Sequence, residues 1–151
     1  MKKWSLMLLA VLWFAVLPSR GTELGQLHPV SLLAVQTEGK TIRVLTDTMD
    51  EGTGETLDAA LQNLEDTTPG HIFLDTAENL ILTEQTRYLL PQLKQLLRPG
   101  VAVCLAKTQI DPKTAADYLN THIPKARLSD TQEHSTLQEL IYSEERYFLE
   151  K

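Results

Sequence analysis

The sequence predicts a single α/β domain in which helices pack on a mixed β-sheet, with its elements in the order β-β-α-β-β-α-β-α-α. Two observations indicate this class. Short runs of leucine and β-branched residues, four to seven residues long, have the length of strands. Between them, leucine and alanine recur every three or four residues, which is the period of an amphipathic helix. No internal repeat, low-complexity segment or interdomain linker follows the first 21 residues.

The first two strands are predicted at residues 30–36 and 41–46. The four residues that link them include a glycine, which is typical of a β-hairpin. In the second run Ile42 and Val44 lie on the same face, because side chains alternate along a strand. One face of this hairpin is therefore expected to be buried.

An acidic loop is predicted at residues 47–55, where four carboxylates and two glycines occur. The first helix follows at residues 56–64, and residues 67–70 end it with a proline and a glycine. Its buried stripe, spaced i, i+3, i+4, i+7, consists of Leu57, Ala60, Leu61 and Leu64. Two short strands are then predicted at residues 71–74 and 79–82, with one broken strand as the alternative.

The second helix is predicted from Thr83, its N-cap, to Leu97. Pro91 lies inside this stretch and predicts one of two outcomes. It either kinks the helix or marks the first turn of a helix that begins near Leu90. Residues 101–106 have no polar alternation, which predicts a central strand covered on both faces.

The last two elements are predicted to be helices. Asp111 and Pro112 form an N-cap and N1 pair for a helix that runs to about Thr121. A final helix is predicted at about residues 130–148. Its inward positions would be Leu137, Leu140 and Ile141.

The first 21 residues differ in charge from the rest of the chain. They carry three basic side chains and no acidic one, and an apolar stretch at residues 4–17 precedes a proline and small residues. This is the pattern of a secretory signal, cleaved before about Thr22. Fourteen helical residues span only about 21 Å, less than the hydrocarbon core of a membrane, so an uncleaved anchor is the alternative. We therefore expect residues 1–21 to be a signal peptide or anchor and residues 22–151 to form one exported domain.

The exported domain is acidic. Residues 22–151 contain 11 basic and 20 acidic side chains, a net charge of −9. This charge argues against nucleic acid as a partner and against electrostatic binding to anionic lipid, since both need a basic face. Membrane contact is expected through the N-terminus alone, and only if the signal is uncleaved. Cys104 is the single cysteine, and its apolar surroundings predict a buried structural thiol.

The glycine-containing segment Gly52-Thr53-Gly54-Glu55-Thr56 superficially suits a phosphate site at a helix N-terminus. It lacks the lysine of a P-loop and the third glycine of a dinucleotide fingerprint, and its own carboxylates would repel phosphate. The twelve residues 47–58 match an EF-hand loop in length, but methionine and aspartate occupy two key ligand positions. The segment is therefore predicted to be a flexible turn.

No other motif predicts an active site. The four histidines lack the spacing of a metal site, and no nucleophile elbow is present. The sequence thus predicts a non-catalytic domain with no cofactor and no metal. Its contact surfaces are expected at the acidic glycine loop and at the aromatic C-terminal end, namely Asp50, Glu51, Gly52, Gly54, Glu55, Tyr142, Tyr147 and Phe148.

The order of motifs resembles the N-terminal domain of the Ger(x)C-type family, the C subunits of bacterial spore germinant receptors. The resemblance rests on Glu23-Leu24 after the signal, on the G-x-G-x-T-L segment that begins at Gly52, on Leu80-Ile81-Leu82-Thr83-Glu84 and on Leu96-Leu97-Arg98. It covers nearly the whole exported domain. Members carry a lipobox cysteine before the Glu-Leu pair, which this sequence lacks, and they continue into a larger C-terminal portion. The chain therefore resembles a stand-alone or truncated N-terminal domain without the lipid anchor.

The resemblance implies a non-enzymatic component of spore germination. Such a protein would act at the outer face of the cytoplasmic membrane, through contacts with other germination receptor subunits or membrane proteins. Two alternatives rest on other features. The carboxylate and glycine loop would suit a small exported hydrolase that depends on a metal or nucleotide, and an apolar pocket would suit an extracellular solute-binding module.

Overall fold

The computed structural model describes residues 27–143 and 146–151. The predicted signal segment lies outside these residues. The strands are β1 (Leu27–Pro29), β2 (Leu32–Glu38), β3 (Thr41–Thr46), β4 (Glu51–Gly54), β5 (His71–Phe73), β6 (Asn79–Leu82), β7 (Ala102–Ala106), β8 (Glu139–Ser143) and β9 (Arg146–Glu150). The α-helices of the described part are α1 (Leu57–Thr67), α2 (Leu90–Leu96) and α3 (Pro112–Thr121). Short 3₁₀ turns cover Leu74–Thr76 and Glu84–Leu89.

Seven strands form one mixed sheet in the order β4-β3-β2-β6-β7-β8-β9. The four central strands, β2, β6, β7 and β8, are parallel. Antiparallel strands complete both sides, with β3 and β4 beyond β2 and with β9 beyond β8. Strands β1 and β5 pair separately in a parallel two-stranded sheet. The predicted α/β class with a mixed sheet is confirmed.

Helices cover the two faces of the sheet unequally. On one face, which we call the α1/α2 face, Leu64 and Leu93 pack with strand residues such as Val103 in the larger hydrophobic cluster. On the opposite face, the α3 face, Leu119 packs in a smaller cluster that includes Cys104. Because adjacent residues of β7 enter different clusters, this strand is buried on both faces, as its unbroken apolar sequence predicts.

The predicted starts of the first and third helices agree with the structure. The Oγ1 of Thr56 accepts a hydrogen bond from the Ala59 amide at 3.2 Å at the start of α1. Asp111 is the N-cap of α3, with Pro112 in its first turn. Pro91 lies in the first turn of α2, so the second alternative is correct and the residues before Leu90 form a 3₁₀ turn. None of the described helices is long and apolar enough to cross a membrane.

Two predictions are wrong. The predicted loop at residues 47–55 contains β4, and the predicted final helix at residues 130–148 is replaced by turns and the β8–β9 hairpin. In that hairpin Leu140 is buried in the α3-face cluster, and its neighbour Ile141 faces the other side of the sheet. This two-residue alternation, with its aromatic and β-branched residues, favours strand over helix.

Candidate functional site

The glycine segment, one of the two predicted contact surfaces, is part of the packed interior of the fold. Gly52 is buried in β4. A Cβ atom added there would lie 2.2 Å from the Ala60 carbonyl oxygen and 2.5 Å from the Leu64 Cβ. At Gly54 an added Cβ would lie 2.5 Å from the Ala60 amide nitrogen. The two glycines therefore allow α1 to lie directly against the edge strand, which is a structural role.

A side chain of α1 also satisfies the outer edge of β4. The Thr53 amide donates to Asn63 Oδ1 at 2.9 Å. This bond uses a backbone group that an exposed edge strand would leave free. The Thr67 hydroxyl lies 3.3 Å from the Glu51 carbonyl, but the Asn63 carbonyl, at 2.8 Å, is its nearer acceptor. At Thr53 the β4 edge is thus closed by the chain itself.

The carboxylates of this segment do not converge on a common point. Glu51 forms two hydrogen bonds with the Arg43 guanidinium, at 2.5 and 2.7 Å, and these bonds lower the pKa of Glu51. Asp50 accepts a bond from Thr48 Oγ1 at 2.6 Å, while Glu55 is exposed. In residues 27–143 and 146–151, no three His, Cys, Asp or Glu side chains are close enough together to hold a metal ion.

The aromatic residues of the β8–β9 hairpin divide into one buried anchor and two exposed side chains. Tyr147 is only 3% exposed and belongs to the α3-face cluster. Its hydroxyl accepts a hydrogen bond from the Asp111 amide at 2.9 Å, and burial raises its pKa. Tyr147 therefore attaches the hairpin to the start of α3 and offers little surface to a partner. The sequence predicts an exposed Tyr147 because residues near a chain end commonly lie at the surface.

The exposed aromatic side chains of the described part of the hairpin are Tyr142 and Phe148, with exposed fractions of 43% and 40%. Phe148 lies directly opposite the half-buried Ile141 on the α1/α2 face of the sheet. Neither residue belongs to a hydrophobic core cluster. We call the pair Ile141 and Phe148 the hairpin patch.

Charged side chains surround the hairpin patch on the same face. Glu139, two residues before Ile141, forms a salt bridge with Lys107 at 2.5 Å. Glu150 and Arg146 lie two residues on either side of Phe148. An apolar centre with a charged rim is the usual composition of a protein–protein contact.

A cavity of about 510 Å³ is a third candidate site, which the sequence did not predict. It lies where β6 and β7 begin and where α3 ends, between the turn at residues 98–100 and the segment that follows α3. Its walls combine apolar and polar side chains, among them Leu119, Ile123, Asn79, Asn120, Arg98 and Arg127. A volume of this size falls within the range of small-molecule sites.

Asn79 is the most unusual residue of this cavity. It is the first residue of β6, between two parallel neighbours, and only 3% of it is exposed. Its Oδ1 has no hydrogen-bond partner among the residues that the structure describes. A buried polar atom without a partner costs about 1–3 kcal/mol, so this acceptor calls for an explanation. The only sequence signal is an asparagine at the head of an apolar strand, where this residue type is rare.

Two exposed arginines line the same cavity, and each donates one hydrogen bond to a backbone carbonyl. Arg98 donates through Nη2 to the Ala77 carbonyl at 3.3 Å, and Arg127 donates through Nη1 to the Gly100 carbonyl at 3.2 Å. Each guanidinium has five N–H donors, so most of them remain for other acceptors. Glu78, next to Asn79, contributes a carboxylate to the lining.

Cys104 and His122 do not line this cavity. Cys104 is fully buried in β7, and burial raises the pKa of its thiol to about 12, so the thiolate is not formed near neutral pH. The prediction of a structural thiol is confirmed. His122 stacks on Tyr118 with a ring separation of 4.3 Å at the end of α3.

No family model, curated protein or solved structure matches this chain.

Proposed function

We propose that this chain is a non-catalytic binding domain that acts through protein–protein contacts at the β8–β9 hairpin. The observation that carries the proposal is the hairpin patch, an exposed aromatic side chain opposite Ile141 with a rim of charged residues. An exposed phenylalanine in such surroundings suits the centre of an interface, where a few large side chains supply most of the binding energy.

The construction of the hairpin supports a binding role. Tyr147 holds β9 to the start of α3, and the Tyr118 hydroxyl accepts a bond from the Leu149 amide at 3.2 Å. These contacts lie on the α3 side of the sheet, so they leave Phe148 exposed on the opposite face. A patch that is held on a sheet rather than on a free loop loses little conformational entropy on binding.

The proposed partners are other subunits of a germination receptor, or membrane proteins, at the outer face of the cytoplasmic membrane. This part of the proposal comes from the resemblance to the receptor C subunits. The domain would then belong to the germination machinery of a spore-forming host, and its role would be to hold an assembly together.

Gene deletion with complementation tests this proposal in the spore-forming host. Deletion should slow or abolish the response of spores to germinants, measured as the fall in optical density of a spore suspension. The wild-type gene should restore the response, and Phe148→Ser should not. Removing one interface anchor weakens binding by about thirtyfold, which co-purification of receptor subunits should detect.

Tyr88→Ser is the matched control, because Tyr88 is an exposed aromatic residue, 54% accessible, outside the hairpin. This variant should restore both germination and co-purification. Normal germination after deletion, together with unchanged partners, would refute the proposed role.

A further inference from the structure

We propose that the cavity at the start of β6 and β7 binds a small hydroxylated organic anion, that is, a sugar acid or a sugar phosphate. This inference goes beyond the protein-binding role, because the cavity and the hairpin patch do not share a residue. Three features of the cavity carry it: two arginines, one unpartnered buried acceptor and an apolar wall.

The arginines specify the anionic group. Arg98 and Arg127 both line the cavity, and backbone carbonyls fix one donor of each guanidinium. A planar guanidinium binds carboxylate and phosphate through paired N–H donors. Arg98 belongs to the connection that precedes β7, and Arg127 belongs to the segment that follows α3, where it forms an isolated bridge with Ala102 at the start of β7. Both residues therefore line the same cavity, where one anion would contact them.

Asn79 specifies the hydroxyl group. Asn79 is one of the residues that line the cavity, and its buried Oδ1 is an acceptor without a partner in the described residues. A ligand hydroxyl would supply the missing donor. Asn120 and Glu78 also line the cavity, and amide and carboxylate groups suit further hydroxyls because they accept or donate in several directions.

The apolar wall matches the carbon skeleton of such a ligand. Leu119 and Ile123 lie on the α3 side of the cavity, and Ile123 is 58% exposed at its mouth. C–H groups of a sugar ring can pack there while its hydroxyls face the polar residues. The volume of about 510 Å³ accommodates one such molecule together with water.

Isothermal titration calorimetry on the full chain tests the inference with four probes. These are glucose 6-phosphate, gluconate, glucose and inorganic phosphate. Glucose 6-phosphate or gluconate should bind at least about tenfold more tightly than glucose, which lacks the charge, and than phosphate, which lacks the carbon skeleton. Comparison of the first two probes shows whether phosphate or carboxylate is preferred.

Variants locate the binding. Arg98→Gln and Arg127→Gln should each weaken it by about tenfold, whereas the exposed Arg146 on β9 provides a matched control, and Arg146→Gln should have no effect. Asn79→Val should weaken binding by up to about tenfold while leaving the free protein as stable as the wild type or more so, because it removes an unpartnered buried oxygen. Failure of both anionic probes to bind at millimolar concentration would overturn the inference. Unchanged affinity in Arg98→Gln and Arg127→Gln, or phosphate binding as tight as that of glucose 6-phosphate, would also overturn it.

Discussion

The glycine segment and the β8–β9 hairpin lie at opposite edges of one sheet and have opposite relations to the rest of the fold. At the β4 edge, α1 lies against Gly52, and Asn63 satisfies the Thr53 amide. At the β9 edge, Tyr147 is buried against α3, but Phe148 projects from the other face, where it belongs to no core cluster. The β4 edge is covered by the internal packing of α1, whereas the β9 edge keeps an exposed apolar side chain.

This difference shows why charge and glycine content are poor guides to a contact surface. Both regions looked like surface features in the sequence, one because it is acidic and the other because it lies near the chain end. In the structure Glu51 is paired with Arg43, and Gly52 is buried. Among the eight residues predicted to form contacts, Phe148 and Tyr142 are the exposed large apolar ones. The following predictions test the difference, from the largest effect to the smallest.

Gly52→Ala should be the most damaging change at the β4 edge. The new Cβ would lie 2.2 Å from the Ala60 carbonyl oxygen, so α1 would have to move away from the sheet. We expect the free energy of unfolding to fall by about 3 kcal/mol in urea titrations followed by circular dichroism. Gly100→Ala is the control, because no atom lies within 4 Å of its added Cβ. Equal stability of the two variants would contradict the close packing of α1 on β4.

Tyr147→Phe should be the most damaging conservative change in the hairpin. It removes the hydroxyl that accepts a hydrogen bond from the Asp111 amide at 2.9 Å, and so leaves that amide without its partner. The expected loss in the free energy of unfolding is about 1–2 kcal/mol. Tyr142→Phe, on the exposed neighbour whose ring lies 4.9 Å away, should change it by less than about 0.5 kcal/mol. A similar loss from both substitutions would mean that Tyr147 is no anchor.

Asn63→Ala should open the β4 edge without unfolding the domain. The Thr53 amide would lose its bond to Asn63 Oδ1, but water can replace that bond because Thr53 is exposed and Asn63 is only half-buried. We expect a loss of about 0.5 kcal/mol and clearly faster hydrogen exchange of the Thr53 amide. Glu65→Ala, at an exposed position of the same helix, should leave that exchange rate as it is. Fast exchange of Thr53 already in the wild type would show that the edge is not closed.

Glu51→Gln should have the smallest effect. Hydrogen bonds from Arg43 lower the pKa of Glu51 in the folded protein. The pair therefore stabilises the fold at pH values above the ordinary pKa of a glutamate. This contribution is lost as the pH falls through the lowered pKa. Both side chains are about a third exposed or more, so the contribution should stay below about 0.5 kcal/mol. Between about pH 5 and pH 3 the wild type should therefore lose slightly more stability than the variant. An identical pH dependence of the free energy of unfolding in the two proteins would show that the pair of Arg43 and Glu51 does not stabilise the fold.

The sequence predicts those parts of the fold in which local pattern and burial agree. The strands at residues 41–46 and 79–82 match the structure in both bounds, and the cap at Asp111 marks the start of α3. The sequence predicts a helix over the residues of the β8–β9 hairpin, because apolar residues four positions apart, such as Leu137 and Ile141, suit a helix as well. Pairing of β8 with β7 makes this region a strand. A local sequence pattern does not show which distant strand a segment will pair with.

The candidate sites were less predictable than the fold, because they depend on residues that only the fold brings together. Asn79, Arg98 and Arg127 are distant in the sequence, and no motif of a ligand site links them. Phe148 was among the predicted contact residues, but its relation to Ile141 depends on strand register. The anchoring role of Tyr147 depends likewise on where α3 begins.

Site-specific cross-linking in the spore-forming host tests the central claim most directly, namely that the hairpin and not the glycine segment contacts other proteins. Photoreactive benzoylphenylalanine would replace Phe148 in one variant and Thr53 in another, since both positions are exposed. We predict adducts with a germination receptor subunit, identified by mass spectrometry, from position 148 and none from position 53. Adducts from position 53 alone, or equal yields from the two positions, would contradict the account.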